Sequence, residues 1–87
     1  MLGPDFEPLP TGAALRDYWL ARLPEGERRI LEILIHAHPR VVEREAIDTA
    51  TGYRRSSRDT YLQRLRSRRL VEDLGRGQVR ASAELFS

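Results

Sequence analysis

The side chains best suited to directed hydrogen bonding lie between residues 54 and 69, in a segment with helical spacing. At about 100° per residue, Leu62 and Leu65 share one side, with Tyr61 and Arg58 beside them. The opposite side carries side chains that are polar but largely uncharged apart from arginine: Ser56, Ser57, Thr60, Gln63, Arg64 and Ser67. Solvated helices more often mix Glu with Lys or Arg, so this composition points to a more specific role for the face.

Glutamine can pair with adenine, and arginine with guanine, when a helix presents them to the base edges of a major groove. The N-terminal half of such a helix enters the groove first. The spacing therefore predicts that four side chains read bases: Ser57, Thr60, Gln63 and Arg64.

Catalytic and metal-binding patterns are not found in the sequence. It has no cysteine, no glycine-rich phosphate loop and no clustered carboxylates. His36 and His38 are two residues apart, so on a helix they point away from each other and form a poor metal site. We expect a protein that is not an enzyme and that needs neither a metal nor another cofactor.

The polar helix must be positioned by the elements before it. A short helical pattern precedes it and is broken at Thr51-Gly52, since glycine favours a helix C-terminus. Ser56 or Ser57 is expected to cap the second helix by accepting a free backbone N–H. The prediction is helix, turn and helix, with the second helix over residues 56–69.

The N-terminal half supplies the core. Residues 1–12 contain three prolines and two glycines and read as an extended tail or linker. Residues 13–23 are predicted to form an amphipathic helix that Pro24 ends. The next helix, stopped by Pro39, is apolar almost all round and is expected to be the central core helix. A short strand is expected over 40–42.

The C-terminal part predicts a hairpin. Residues 70–74 and 78–81 flank Gly75-Arg76-Gly77, a connection of hairpin type. Arg76 would lie at its tip and Arg80 on its return strand, where both can reach phosphate. A last turn over 83–86 is expected to fold back onto the core. The predicted core combines residues of all these elements: Ile30, Leu31, Leu34, Ile47, Leu62, Leu65 and Val79.

These residues resemble the winged helix-turn-helix superfamily, in particular the DNA-binding domains of MarR and GntR type. The resemblance covers roughly residues 26–81 and is carried, in register, by Ile47, Ala50, Thr51-Gly52-Tyr53, Ser56-Ser57, Leu62-Gln63-Arg64-Leu65 and Leu70-Val71. A weaker resemblance is to C-terminal winged-helix modules of larger bacterial or phage ATP-binding proteins. Two positions depart from the pattern: Arg58 replaces an apolar residue, and Arg69 replaces a glycine before the strand.

The resemblance implies a mainly α fold with a small hairpin wing, about four helices plus two or three strands, in a domain spanning residues 13–87. It further implies binding of double-stranded DNA through the 56–69 helix and the 74–80 wing. The protein would then be a small bacterial transcription regulator or the targeting module of a larger protein. The expected contact residues are Arg54, Arg55, Ser56, Ser57, Thr60, Gln63, Arg64, Arg76 and Arg80.

Charge is distributed unevenly along the chain. The formal net charge is only +2, but residues 53–80 hold nine arginines against three acids, whereas residues 1–52 hold six against nine. Positive potential is therefore expected on the second helix of the helix-turn-helix and on the segment that follows it. The lack of cysteine and of an apolar run of roughly 20 residues predicts a cytoplasmic protein without a membrane span.

A second interpretation is an interaction domain that docks a protein partner or forms a homodimer through the helix bearing Tyr18 and Trp19, although packing within the domain also explains these aromatic residues. The two interpretations predict different surfaces. A DNA-binding domain should present one continuous face containing Arg54, Arg55, Arg64, Arg76 and Arg80. An interaction domain is expected to scatter them or to pair them with Glu72 and Asp73.

Overall fold

The computed structural model describes residues 12–86, which form a mainly helical domain with a small antiparallel sheet. A short 3₁₀ turn, Ala83–Phe86, ends the described chain. In chain order the elements before it are α1 (Gly12–Arg22), α2 (Glu25–Ala37), β1 (Val42–Glu43), α3 (Arg44–Thr51), α4 (Arg55–Ser67), β2 (Val71–Gly75) and β3 (Gln78–Ala81). The expected tail lies outside the described residues except for Gly12, which begins α1.

The core surrounds α2, as predicted. Ile30, Leu31 and Leu34 of α2 have no exposed surface, because the 3.6-residue period places them on one face. All seven predicted core residues are buried, and Leu23, Leu70, Val71, Ala81 and Leu85 join them. Helix α4 packs across α2, so the core face of α4 is fixed by Leu62 and Leu65.

The sheet has three strands in the order β1-β3-β2, all antiparallel. Val42 pairs with Val79, so the short strand exists, although it covers Val42–Glu43 rather than 40–42. The predicted hairpin turn is also present. Arg76 (φ 57°) and Gly77 (φ 75°) are its central residues, and positive φ at both is the type I′ pattern that matches strand twist.

The predicted cap of α4 is wrong. The helix begins at Arg55, after Arg54 in extended conformation, and no side chain accepts a hydrogen bond at its start. The backbone N–H of Arg58 donates to the Arg54 carbonyl (2.9 Å), which brings Ser56 and Ser57 inside the helix. The helix ends at Ser67, two residues before the predicted end.

Helix α1 lies at the edge of the domain. None of its residues is fully buried, and Leu15, Trp19 and Leu20 pack only partly against the core. Its main neighbour is the C-terminal 3₁₀ turn, where the Arg16 guanidinium donates to the Leu85 carbonyl oxygen (2.9 Å). The predicted fold-back of the C-terminal turn is confirmed, since Leu85 is 1% exposed. No helix within residues 12–86 combines the length and apolar composition needed to span a bilayer.

Candidate functional site

The predicted polar face of α4 is on the surface. Ser56, Thr60, Gln63 and Arg64 are exposed, and Ser57 is half-buried. These side chains lie opposite Leu62 and Leu65, whose burial fixes the rotation of the helix about its axis. A shallow hollow on one flank is lined by Ser56, Ser57, Thr60, Tyr61 and Arg64.

The donors on this face are only partly used. The Thr60 hydroxyl donates to the Ser56 carbonyl oxygen (3.0 Å) and therefore has only its acceptor capacity left for a ligand. The Gln63 amide makes no hydrogen bond within residues 12–86, so both its donor and its acceptor are available. Gln63 lines a second hollow, on the other flank of α4, with Arg44, Asp59, Leu62, Arg66 and Ser67.

Helices α3 and α4 are joined by the arginine that replaces the expected apolar residue. Arg58 is 4% exposed and donates from Nε and Nη2 to the two carboxylate oxygens of Asp48 (2.9 and 3.1 Å). Its Nη1 also lies 3.1 Å from Asp59. Arg58, the buried residue of the first turn of α4, is therefore held against α3 by a two-pronged ion pair rather than by apolar packing.

A second ion-pair group ties the hairpin to the helices. Asp73 of β2 accepts a hydrogen bond from Arg44 of α3 (2.6 Å) and a longer one from Arg66 of α4 (3.4 Å). The backbone N–H of Gly75 donates to Asp73 Oδ1 (2.9 Å). That N–H, followed by the charges of Arg44 and Arg66, lowers the pKa of Asp73 below its ordinary 3.8. Asp73 thus holds the hairpin against both helices.

Arg80 is not a free charge on the hairpin. Its Nε donates to Glu72 (2.9 Å), which also accepts the backbone N–H of Ala83 (3.2 Å). The Ala83 N–H, and then Arg80, lower the pKa of Glu72 below its ordinary value. Of the five arginines expected on one face, Arg80 shows the pairing with Glu72 that the interaction-domain interpretation predicted. Asp73, in contrast, pairs with Arg44 and Arg66, which are outside that set.

Three of the predicted site arginines carry unpaired charge. Within residues 12–86, Arg54, Arg55 and Arg76 make no side-chain hydrogen bond or ion pair, and all three are exposed. Arg55, at the start of α4, and Arg76, in the hairpin turn, line the same hollow. The helix start and the hairpin tip therefore lie on one side of the molecule. Four acids also line this hollow, so its charge is mixed: Glu43, Glu45, Asp48 and Asp59.

The sequence prediction missed Glu27. This residue of α2 is 1% exposed, and its carboxylate lies 3.7 Å from Arg64 Nη1 and 3.7 Å from Arg68 Nε. A signal was present, because Glu27 precedes Ile30, Leu31 and Leu34 by three, four and seven residues and so shares the buried face of α2.

Neighbouring Gly26 brings α2 close to α4. A Cβ added there would lie 2.5 Å from the Tyr61 ring.

The aromatic pair of α1 is engaged within the domain. Trp19 packs partly against the core, with its ring edge-to-face to Tyr18 at 5.5 Å. The Arg22 guanidinium lies 3.7 Å from the Tyr18 ring centroid. Packing thus accounts for Trp19, and a partner at this helix stays a prediction.

Comparisons of the chain with protein-family models, with curated proteins and with solved structures found no match. The functional argument therefore depends on the arrangement of the side chains. Among residues 12–86, no group of three or more His, Asp or Glu side chains is placed to hold a metal ion.

Proposed function

We propose that residues 13–87 form a winged helix-turn-helix domain that binds duplex DNA, with α4 as the recognition helix and the β2–β3 hairpin as the wing. One observation supports this most directly: α4 has an exposed face rich in hydrogen-bonding groups, and Arg55 at its start shares one hollow with Arg76 at the hairpin tip, both without a partner within residues 12–86. Phosphate contacts would position such a domain, and base contacts would give it specificity.

The side chains divide into two roles. Arg54, Arg55 and Arg76 neutralise phosphates, and Arg80 joins them only if it leaves Glu72. Gln63 pairs with the N6 and N7 atoms of an adenine, and Arg64 pairs with the O6 and N7 atoms of a guanine. Ser56, Ser57 and Thr60 supply shorter hydroxyl contacts in the first half of the helix. No catalytic step and no cofactor is needed.

The biological setting follows the same proposal. A free-standing domain of this kind would be a small transcription regulator, and an attached one would target a larger bacterial protein to DNA. A chain without cysteine suits the reducing cytoplasm.

The second candidate is a protein-interaction domain. The ion pair between Arg80 and Glu72 and the acids near Arg55 and Arg76 favour it, because a strongly acidic polymer gains less from a surface whose charge is partly neutralised. The partner would be a protein docked on α4 or the hairpin, or a second copy docked on α1.

Selection from a random duplex library tests the proposal. The parent should select a motif, and Gln63→Ala should lose preference at one base pair, worth about 1 to 3 kcal/mol, with nonspecific affinity nearly unchanged. Gln78→Ala is the matched control, since this glutamine donates to Glu43 on the sheet (3.2 Å). If the parent enriches no motif and binds duplex independently of salt, DNA binding is wrong and the interaction domain is favoured.

A further inference from the structure

Glu27 is a buried carboxylate with no hydrogen-bonding partner on one of its oxygens. Its Oε1 is inaccessible and accepts no hydrogen bond within residues 12–86, and the residue is 1% exposed. A buried carboxylate without full hydrogen bonding is costly, so nearby positive charge must compensate it. Glu27 is the third residue of α2, where the helix dipole favours an acid. The remaining compensation comes from Arg64 of α4 and from Arg68, the residue that follows this helix.

The two arginines are held by charge rather than by hydrogen bonds. Arg64 Nη1 is 3.7 Å from Glu27 Oε2, and Arg68 Nε is 3.7 Å from Oε1. These distances are too long for hydrogen bonds. They are short enough for a strong attraction between opposite charges at a partly buried site. The Arg64 side chain is 61% exposed and donates no hydrogen bond within the described part of the chain. All five of its N–H donors therefore remain available to a ligand.

The contact beside Glu27 fixes where this charge lies. Gly26 leaves room for the Tyr61 ring, whose carbon atoms would be 2.5 to 3.0 Å from an added Cβ. Tyr61 is three residues before Arg64, so the N-terminus of α2 meets α4 one turn before the arginine. Arg64, which lies 3.7 Å from the Glu27 carboxylate, lines the hollow together with Ser57, Thr60 and Tyr61.

We propose that Glu27 is a positioning residue: its buried charge fixes the Arg64 guanidinium at the edge of the exposed α4 face and so determines the base that Arg64 selects. The inference rests on the proposed DNA binding and adds a specificity determinant that does not itself touch DNA. Orientation before binding lowers the entropy lost when Arg64 engages a base edge. Because no donor of Arg64 is used within residues 12–86, positioning does not compete with recognition.

The first test uses the free protein. Side-chain NMR relaxation of the arginine Nε–H groups should show Arg64 more ordered than Arg54, which has no partner among residues 12–86. In Glu27→Gln, the order of Arg64 should fall to that of Arg54. Glu25→Gln removes the same charge from an exposed position two residues earlier on α2 and should leave Arg64 unchanged. If only Arg68 loses order in Glu27→Gln, the role of Glu27 is to hold α2 against the end of α4, and the proposal is overturned.

The second test is selection from a random duplex library with the parent, Glu27→Gln, Glu25→Gln and Arg64→Ala. Glu27→Gln should lose about ten-fold of the preference at the base pair that Arg64→Ala also relaxes, and keep the rest of the motif. A merely structural role would instead lower affinity for all sequences together with the melting temperature.

The outcomes separate the two proposals. A parent motif that Glu27→Gln leaves intact overturns the positioning role alone, whereas a parent that selects no motif overturns DNA binding and the positioning role with it. If Glu27→Gln does not fold, Glu27→Asp retains the charge but withdraws it by one methylene. The same loss at the Arg64 base pair is expected, and an unchanged preference there contradicts the proposal.

Discussion

At the scale of single residues, two arginines adopt a left-handed backbone that most side chains avoid. Arg69 (φ 62°) follows the last turn of α4, and Arg76 (φ 57°) lies in the hairpin turn. The end of α4 is a Schellman motif, in which the N–H of Leu70 donates to the Leu65 carbonyl and that of Arg69 to the Arg66 carbonyl. Glycine is the usual residue at the position that Arg69 occupies in this motif, because it has no Cβ.

Arg69→Gly should therefore stabilise the domain. A left-handed backbone costs a residue with a Cβ about 1 to 2 kcal/mol, whereas glycine loses about 0.4 to 1 kcal/mol more unfolded-state entropy on folding, so the net gain in stability should be up to about 1.6 kcal/mol. Ser67→Gly, two residues earlier at the last position of α4, should instead cost about 0.5 kcal/mol, because glycine is a poorer helix former than serine. Urea denaturation of both variants measures whether the free energy of unfolding changes in opposite directions. A lower stability of Arg69→Gly would show that the backbone at Arg69 is not strained.

At the scale of elements, the junction of α3 and α4 depends on one asymmetric ion pair. The Arg58 side chain is 4% exposed, whereas that of Asp48 is 28% exposed. Removing the acid leaves a buried guanidinium, while removing the arginine leaves a carboxylate that water can still reach. Loss of one partner costs most when the charge left behind is buried.

Asp48→Asn should thus destabilise the domain more than Arg58→Leu. We expect Asp48→Asn to cost about 2 kcal/mol or more, less than a fully uncompensated charge because Asp59 remains 3.1 Å from Arg58. Arg58→Leu should cost less, since leucine restores apolar packing in the first turn of α4. Asp17→Asn, at an exposed acid of α1, is the control and should leave the midpoint of urea denaturation at its parental value. Equal losses for the two pair variants would show that burial of the arginine is unimportant.

The hairpin is attached through Asp73, and this attachment should depend on pH. The pKa of Asp73 is lower in the folded protein than its ordinary 3.8, chiefly through the Gly75 N–H. A carboxyl group whose pKa is lowered by folding stabilises the folded state fully at any pH above its pKa in the unfolded chain. This stabilisation is lost as the pH falls through the pKa of the group in the folded protein. The advantage of the parent over Asp73→Asn should therefore be full above about pH 5 and shrink below about pH 4.

Urea denaturation between about pH 2.5 and pH 7 measures this difference directly. Glu45→Gln removes an exposed acid of α3 and serves as the charge control. A parent advantage over Asp73→Asn that stays constant across this range would show that the carboxylate does not titrate with folding.

Periodicity was sufficient for the elements, but not for their electrostatic contacts. Ile30, Leu31 and Leu34 repeat at helical spacing, and Gly75-Arg76-Gly77 has the composition of a tight turn, so α2 and the hairpin were predictable from local sequence. Ion pairs depend on residues that only the fold brings together: Arg44 and Asp73 are 29 positions apart.

The prediction of a serine cap for α4 was wrong for a related reason. A serine cap contributes only about 1 kcal/mol. The helix instead begins at Arg55, and Arg58 in its first turn pairs with Asp48, ten positions earlier in the chain.

At the scale of the whole molecule, the net charge of +2 says little about the surface that a partner meets. Arg58, Arg66 and Arg80 are ion-paired within the domain, and Arg64 and Arg68 lie beside Glu27. Of the other four arginines in residues 53–80, Arg69 is not part of the candidate site. The charge available for phosphate at that site therefore reduces to Arg54, Arg55 and Arg76, which have no partner within residues 12–86. The proposed DNA affinity should reflect these three charges rather than the nine arginines of residues 53–80.

The salt dependence of duplex binding counts those charges. Three phosphate contacts should give a slope of log K against log salt of about −2.7, and losing one should flatten it to about −1.8. Arg76→Asn is the suitable variant, because asparagine tolerates positive φ and keeps the type I′ turn while removing the charge. Arg80→Gln removes the same charge four residues later, but from an arginine already paired with Glu72, and should leave the slope near the parental value.

Fluorescence anisotropy between about 50 and 200 mM salt is sufficient, since each contact changes the slope by about 0.9. Equal flattening by both variants would mean that Arg80 leaves Glu72 on binding, and a flat parent would contradict phosphate-driven binding altogether.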